Sequence, residues 1–301
     1  MADLGRSVLK FIKDEQPTRK QVLQKFGISI SEFNEILKEI KGFNHEVVYV
    51  NRHYGVSRTF RVENDVVIIQ DGNLEPVELF MSDTHSSDKG CNHRLIQKVV
   101  KEAYARGVRI VYHAGDLVAG RTVYPGQIHD LRDITFEDQV SRLVDTLPAL
   151  EGLEYYVING NHDLNWLKLD AGNVGRELAS RREDVHFLGD GYGRVVKNGV
   201  RIDLVHLDGS GSNGQGKVEK YLGNFMKSNA DDAPHILLAG HLHKMLVGND
   251  YGVEWMLPGN FQGPNQYVKR KGLLGPQGAY LVDYEIDRRE VTHFRTERLQ
   301  G

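Results

Sequence analysis

Eight side chains able to bind a metal ion or move a proton recur along the chain in short blocks. Asp83 and His85 stand in Ser-Asp-Thr-His, Asp116 in Ala-Gly-Asp-Leu, and Asn161 with His162 in Gly-Asn-His-Asp. His206 follows in Val-His-Leu-Asp, then His241 and His243 in Gly-His-Leu-His. Imidazole nitrogen with carboxylate oxygen suits borderline divalent ions, Mn2+ foremost, with Fe, Zn2+ or Ni2+ as alternatives. No cysteine stands in the blocks, which removes a structural zinc site. Such a set can build a two-metal hydrolytic centre for phosphate esters.

Such side chains converge only if rigid elements hold them, and the sequence supplies these. Each block follows a short apolar run, at 77–81, 108–112, 155–158, 202–205 and 236–239. Helical periodicity fills 94–106 and 136–148, so strands and helices alternate as in a layered α/β domain. Beyond Gly160 further strand-like runs come closer together, which fits two stacked sheets flanked by helices. In open α/β sheets, sites collect at the carboxyl ends of strands. Asp-x-His at a strand end turns both ligands into one cavity, with Thr84 pointing away. The glycines beside Asp116, Asn161 and His241 allow tight turns and close backbone approach.

The ordered blocks resemble the calcineurin-like metallophosphoesterase superfamily, over most of residues 77–265. The resemblance implies a four-layer αββα sandwich and a pair of divalent metal ions. Carried onto this chain, the family pattern gives Asp83, His85 and His243 to one ion and Asn161, His206 and His241 to the other. Asp116 would bridge them. His162 would protonate the leaving oxygen, and Asp163 would orient it or raise its pKa. Protein phosphatases of the superfamily carry an Asp-Arg-Gly after Gly-Asp and an arginine before Gly-Asn-His. This chain has neither, and its blocks look closer to the phosphodiesterase and nuclease branch.

Other histidines read as ordinary. His113, His186 and His235 are expected to be packed or structural. The segment 117–135 leaves directly from Asp116 and carries Arg121, Tyr124, His129 and Arg132, so it is a candidate for contacting substrate. Residues 209–218 nearly match a Walker phosphate cradle, but Val218 has no hydroxyl where one is needed. They read instead as a flexible loop near the ligands. Lys269, Arg270 and Lys271 form a basic cluster that reads as a solvated turn.

Residues 1–72 follow a different logic and form a small α+β domain ahead of the α/β domain at 73–301. A first helix is expected around Leu9 and Ile12. Thr18 with Gln21 and Ser29 with Glu32 form capping boxes for two more, the first closed by Gly27. The helix pair resembles a helix-turn-helix. Runs at 47–50 and 59–62 around a Tyr-Gly-Val-Ser turn complete a winged-helix-like pattern. Arg52, Arg58 and Arg61 lie in a hairpin stretch free of acids, a candidate for nucleic-acid contact, DNA included.

At 301 residues and a formal charge of -3, the chain has no global pull toward polyanions. The lone Cys91 rules out an intramolecular disulfide framework and fits a reducing compartment. No apolar run is long enough for a membrane span or a signal peptide, so a cytoplasmic, intracellular protein is expected. The reading favoured is a metal-dependent phosphodiesterase or nuclease acting on nucleic acid, with small phosphate esters as artificial substrates. The alternatives are a phosphoesterase acting on a small nucleotide or phosphoprotein, its N-terminal module making protein contacts, and a non-enzymatic DNA-binding regulator. The oligomeric state is not legible.

Overall fold

The computed structural model describes residues 3–15, 17–42, 47–50, 53–56, 59–63, 66–70, 76–209, 213–263, 269, 275–287 and 290–300. The chain forms two units, Met1–Leu74 with Val196–Gly199, and Glu75–Val195 with Val200–Gly301.

The first unit opens with α1 (Asp3–Glu15), α2 (Arg19–Phe26) and α3 (Ile30–Gly42). Both capping boxes form. The Gln21 N–H donates to Thr18 Oγ1, and Gln21 Oε1 accepts from the Thr18 N–H at 2.8 Å. The Glu32 N–H donates to Ser29 Oγ at 3.2 Å, and Glu32 Oε2 accepts from the Ser29 N–H at 2.8 Å. Gly27, at φ 63°, ends α2 in the left-handed conformation that a Cβ would disfavour. Val8, Ile12, Val22, Phe33, Ile36 and Ile40 make the small core.

One expectation fails here. β1 (Val47–Val50) pairs with β2 (His53–Val56), and β3 (Thr59–Glu63) pairs with β4 (Val66–Gln70), both antiparallel. Tyr54, expected in a turn, is a buried strand residue. Its ring meets Phe33 edge-on at 5.0 Å, and its N–H donates to the Pro17 carbonyl at 2.8 Å. Burying an aromatic ring and satisfying its amide outweigh the local turn signal of Tyr-Gly-Val-Ser. Arg52, Arg58 and the side chain of Arg61 lie outside the described residues, as do Ser57, Ser210–212 and the Arg270–Lys271 part of the basic cluster.

The second unit is built on two sheets. One runs in the order β15-β14-β5-β6-β7-β8. In it β5 (Val77–Met81), β6 (Ile110–His113), β7 (Glu154–Asn159) and β8 (Val185–Asp190) are mutually parallel. β14 (Gly278–Asp287) and β15 (Glu290–Gln300) add antiparallel strands beside β5. The other sheet contains, in order, β12 (Met245–Asp250), β13 (Val253–Pro258), β11 (Ile236–Gly240), β10 (Val200–His206) and β9 (Tyr192–Lys197). β10, β11 and β13 are parallel.

Helices cover the outer faces. α4 (His93–Ala105), α5 (Phe136–Thr146) and α7 (Val174–Arg181) pack Val99, Leu143 and Leu178 against Leu79, Val111 and Val157 of the first sheet. α8 (Gly214–Asn229) packs Val218 and Leu222 on Val205, Leu237 and Trp255 of the second. The inner faces meet each other: a Cβ on Gly193 of β9 would strike Leu188 and Ile158, and Arg298 donates to the Met245 carbonyl. This is the four-layer αββα arrangement. Strands buried on both faces need continuous apolar runs, which explains why the sequence shows runs and not alternation. Among the described residues no helix is long and apolar enough to cross a membrane.

Residues 214–217 correct another expectation. They are not loop but the first turn of α8, capped by Asn213, whose Oδ1 accepts from the Gly216 N–H at 2.9 Å. Two glycines in that turn hide its helical signal.

Candidate metal centre

The parallel strands end at one edge of both sheets, and the ligand blocks leave from there. β5 and β6 stay in step past their ends: the Asp83 N–H donates to Gly115 O, and the His85 N–H to Asp116 O, both at 3.0 Å. Thr84 points the other way, donating to Leu117 O at 2.9 Å and lying 3.1 Å from His113 Nε2. β7 hands over to α6 (Asn161–Lys168), so Asn161 and His162 open a helix. His206 ends β10 and His241 follows β11.

These residues converge. Asp83, His85 and His243 form one trio whose donor atoms lie within 4.8 Å of one another. Asp116, His206 and His241 form a second, and His85, Asp116 and His162 a third. Asp116 thus stands between the clusters, with Oδ2 3.2 Å from His206 Nε2 and 3.8 Å from His85 Nε2. Asn161 Oδ1 joins the second trio, 2.8 Å from His241 Nδ1 and 3.1 Å from His206 Nε2. His85 Nε2 faces His243 Nε2 at 3.3 Å, and Asp83 is 3.2 Å from that nitrogen.

Backbone strain marks the same residues. Asp83, His85, Asp116, His241 and His243 all have φ between 44° and 85°. Left-handed conformations cost such side chains on the order of 1 kcal/mol each, and persist where the surroundings over-determine them. The preceding glycines permit the approach. A Cβ on Gly160 would lie 2.3 Å from both Asp116 N and Oδ1, and one on Gly240 2.3 Å from Ala114 O. Gly160→Ala is expected to destabilise the fold by about 3 kcal/mol through this overpacking. Urea denaturation measures it, and an unchanged midpoint would contradict the close approach.

Three backbone carbonyls lie against three imidazole nitrogens and hold the rings from behind. His206 Nδ1–H donates to Ala114 O at 2.7 Å, which turns Nε2 toward Asp116. His162 Nδ1–H donates to Ala119 O at 2.6 Å. His241 stands between two acceptors, Gly209 O 3.1 Å from Nε2 and Asn161 Oδ1 2.8 Å from Nδ1, so a cation on Nδ1 would leave the Nε2–H to donate to Gly209. Holding a ring this way is the usual arrangement around a metal-binding histidine. Nitrogen and oxygen donors, converging without sulfur around a shared carboxylate, fit a pair of borderline divalent ions.

Asp163 does something other than expected. Its carboxylate accepts from the N–H groups of Leu117 at 3.1 Å, Val118 at 2.9 Å and Gly160 at 2.8 Å. It clamps the Asp116 loop to the start of α6 and does not orient His162, whose Nδ1 is taken by Ala119. All its near donors are backbone amides because side-chain direction on α6 carries positions 162 and 163 apart. Burial, then the neighbouring Asp116, lifts the Asp163 carboxyl to about 7 against those three N–H groups. The residues missed by sequence reasoning are Ala114, Ala119 and Gly209, together with Gln127 and Gln139. Gln127 Nε2 donates to Ala119 O at 2.7 Å, and Gln139 brackets Gly120 through both its N–H and its carbonyl.

Arg121 and His129 are exposed, and Tyr124 is half-buried with its hydroxyl donating to Asp130 at 3.0 Å. His113 is buried beside Thr84, and His186 stacks on Tyr156 at 4.7 Å. His235 Nδ1 accepts from the Arg201 N–H at 2.9 Å. Burial, followed by Asp88, pushes the Cys91 thiol up to about 12, so it is no thiolate.

Charge in the site is arranged for cations. Burial raises the Asp116 carboxyl, but His206 and His162 outweigh it and hold it well below the usual range. Burial opposes charge on His206, yet Asp116 beside it lifts the imidazole to about 10. At neutral pH the ion-free protein therefore carries a proton on His206 that a cation must displace. Mn2+ added to metal-free protein is expected to release protons, and its apparent affinity to rise with pH up to about 10. A pH-stat titration reads both; uptake without proton release would contradict the arrangement.

Residues 79–275 match the model of the calcineurin-like phosphoesterase superfamily domain. The chain is 25% identical over 325 residues to the DNA polymerase II small subunit of Thermoplasma acidophilum, taking in 96% of this chain and 64% of that protein. It is 25% identical over 220 residues to the DNA polymerase II small subunit of Halobacterium salinarum, taking in 62% of this chain and 43% of the relative. It thus spans less than two thirds of the length of these curated relatives. A solved archaeal phosphodiesterase is 16% identical, with a TM-score of 0.43 over 74% of this chain and 100% of that one.

Proposed function

This chain belongs to the calcineurin-like phosphoesterase superfamily, and from that premise we propose that it is a metal-dependent phosphodiesterase acting on nucleic acid. The observation that carries the reading is the convergence of Asp83, His85, Asp116, Asn161, His206, His241 and His243 at one edge of two sheets. In this reading Asp83, His85 and His243 hold one divalent ion, Asn161, His206 and His241 the other, and Asp116 both, with Mn2+ favoured. When bound, the ions supply charge neutralisation at phosphorus and a nucleophile at neutral pH.

The chain's own residues do the rest. Ala119 anchors His162 through Nδ1, so Nε2 faces the centre, 3.9 Å from Asp116 Oδ2. His162 is placed to give a proton to the departing oxygen. The Asp163 clamp keeps Asp116 and the start of α6 in register for that transfer. A recess of about 350 Å³ opens beside Asn161 and His206, lined also by Leu164, Leu207, Asp208 and Tyr221. It gives room for a group on the far side of the phosphate, as a diester requires. Arg121, Tyr124 and His129 on the loop after Asp116 are proposed to contact the substrate strand.

The polymerase-subunit relatives support a nucleic-acid substrate, and the three helices and two hairpins of the first unit support a winged-helix module, for which Arg52, Arg58 and Arg61 are proposed as phosphate contacts. The same relatives are named as subunits, which favours a second use of that module in protein contacts. Manganese-loaded protein incubated with single- and double-stranded DNA and RNA tests the proposal. Cleavage of any of them supports it. Brisk turnover of small phosphate esters with all four polymers intact would move the substrate to a small nucleotide or phosphoprotein.

A further inference from the structure

The glycine-rich segment ending in Lys217 looked like a failed phosphate cradle. The structure gives its lysine a different set of partners. The Lys217 ammonium donates to the carbonyl of Asp208 at 3.1 Å and to that of Gly209. Gly209 O is also the acceptor for His241 Nε2–H at 3.1 Å. One backbone oxygen therefore joins a lysine of α8 to a candidate metal ligand of the other strand end.

We infer that Lys217 is a positioning residue for His241, acting through the Gly209 carbonyl. The inference rests on the dinuclear metal reading. His241 sits at φ 85°, a backbone conformation that does not by itself fix its ring. Its ring is held between Gly209 O at Nε2 and Asn161 Oδ1 at Nδ1, 2.8 Å away, and once a cation takes Nδ1 the Nε2–H bond to Gly209 is the one that orients it. That bond is only as good as the placement of the carbonyl. Gly209 is itself at φ 75° and has no side chain to hold it. Lys217 supplies the hold, because its ammonium takes two successive carbonyls and so pins the peptide plane between them. The lysine in turn stands on a fixed base: its N–H donates to Asn213 O at 3.3 Å in the capped first turn of α8. Partners that orient metal-binding histidines are commonly worth tenfold to a hundredfold in metal affinity.

Calorimetric titration of Mn2+ into metal-free protein tests this. Wild type is expected to take up ions in two events. Lys217→Met, which keeps the aliphatic stem, is expected to weaken one event by roughly tenfold to a hundredfold and spare the other. Lys217→Arg, which can still donate to both carbonyls, is expected to recover most of the loss. A merely structural lysine would disturb both events alike, with no recovery in Lys217→Arg, which overturns the inference. So does a Lys217→Met protein that binds Mn2+ like wild type but shows a raised KM, since the lysine would then be gripping substrate. Wild type that takes up no Mn2+ is a separate result: it removes the metal centre, and this inference with it.

Discussion

Asp116→Asn is expected to lose metal and activity together, with phosphodiester turnover down by roughly a thousandfold or more. The substitution is nearly isosteric, so the fold should survive it. Asp116 Oδ1 accepts from the His162 N–H at 2.8 Å, and an amide oxygen can do the same. What disappears is charge. Asp116 lies between the two trios, and an uncharged amide there would not offset the charge of the dications proposed to bind in that buried pocket. The substitution also removes the carboxylate that lifts His206, so the variant should release fewer protons when Mn2+ is added. Metal analysis after dialysis, run beside turnover of bis-p-nitrophenyl phosphate, makes the comparison. Full metal content with lost activity would place Asp116 in the chemistry and not in the bridge. Wild-type activity would leave the phosphoesterase domain as a scaffold.

His162→Ala is expected to keep both ions and to slow the reaction by about a hundredfold or more on substrates with poor leaving groups. The geometry leaves a real choice to settle. His162 shares a donor cluster with His85 and Asp116, and its ring lies 4.5 Å from that of His85. A proton donor and a ligand make different predictions. A lost proton donor hurts an alkoxide leaving group, as in a nucleic-acid strand, far more than p-nitrophenolate, which departs unprotonated. A lost ligand lowers metal content and hurts both substrates equally. Measuring the two substrates and the bound metal on one preparation separates the roles, and equal losses with missing metal would overturn the acid assignment.

Much of the site was legible because its chemistry is carried by residue type. Aspartate, asparagine and histidine at the ends of apolar runs announce candidate ligands, which the structure brings together, and the runs announce buried parallel strands. The helix caps of the first unit were equally readable, since Thr18, Gln21, Ser29 and Glu32 interact within three residues of one another. The local signals failed where a distant partner decided. Tyr54 looked like a turn residue until Phe33 and Pro17 claimed its ring and its amide. Lys217 stood in a segment that read as a flexible loop, yet it lies in the first turn of α8 with its ammonium on two carbonyls. Asp163 stood next to the histidine it was expected to serve, yet three amides from two separate segments took its oxygens.

By itself, then, the chain's covalent order determined which atoms could bind cations and which strands would carry them, because both depend on side-chain identity and short spacing. Only the packed structure decided how those atoms are held. The carbonyls of Ala114, Ala119 and Gly209 orient three imidazoles, and every residue possesses such a carbonyl, so nothing in the letters marks these three. The left-handed turns at Asp83, His85, Asp116, His241 and His243 are likewise imposed by two sheets meeting at a common edge, where close approach at Gly115, Gly160 and Gly240 leaves the backbone no other course.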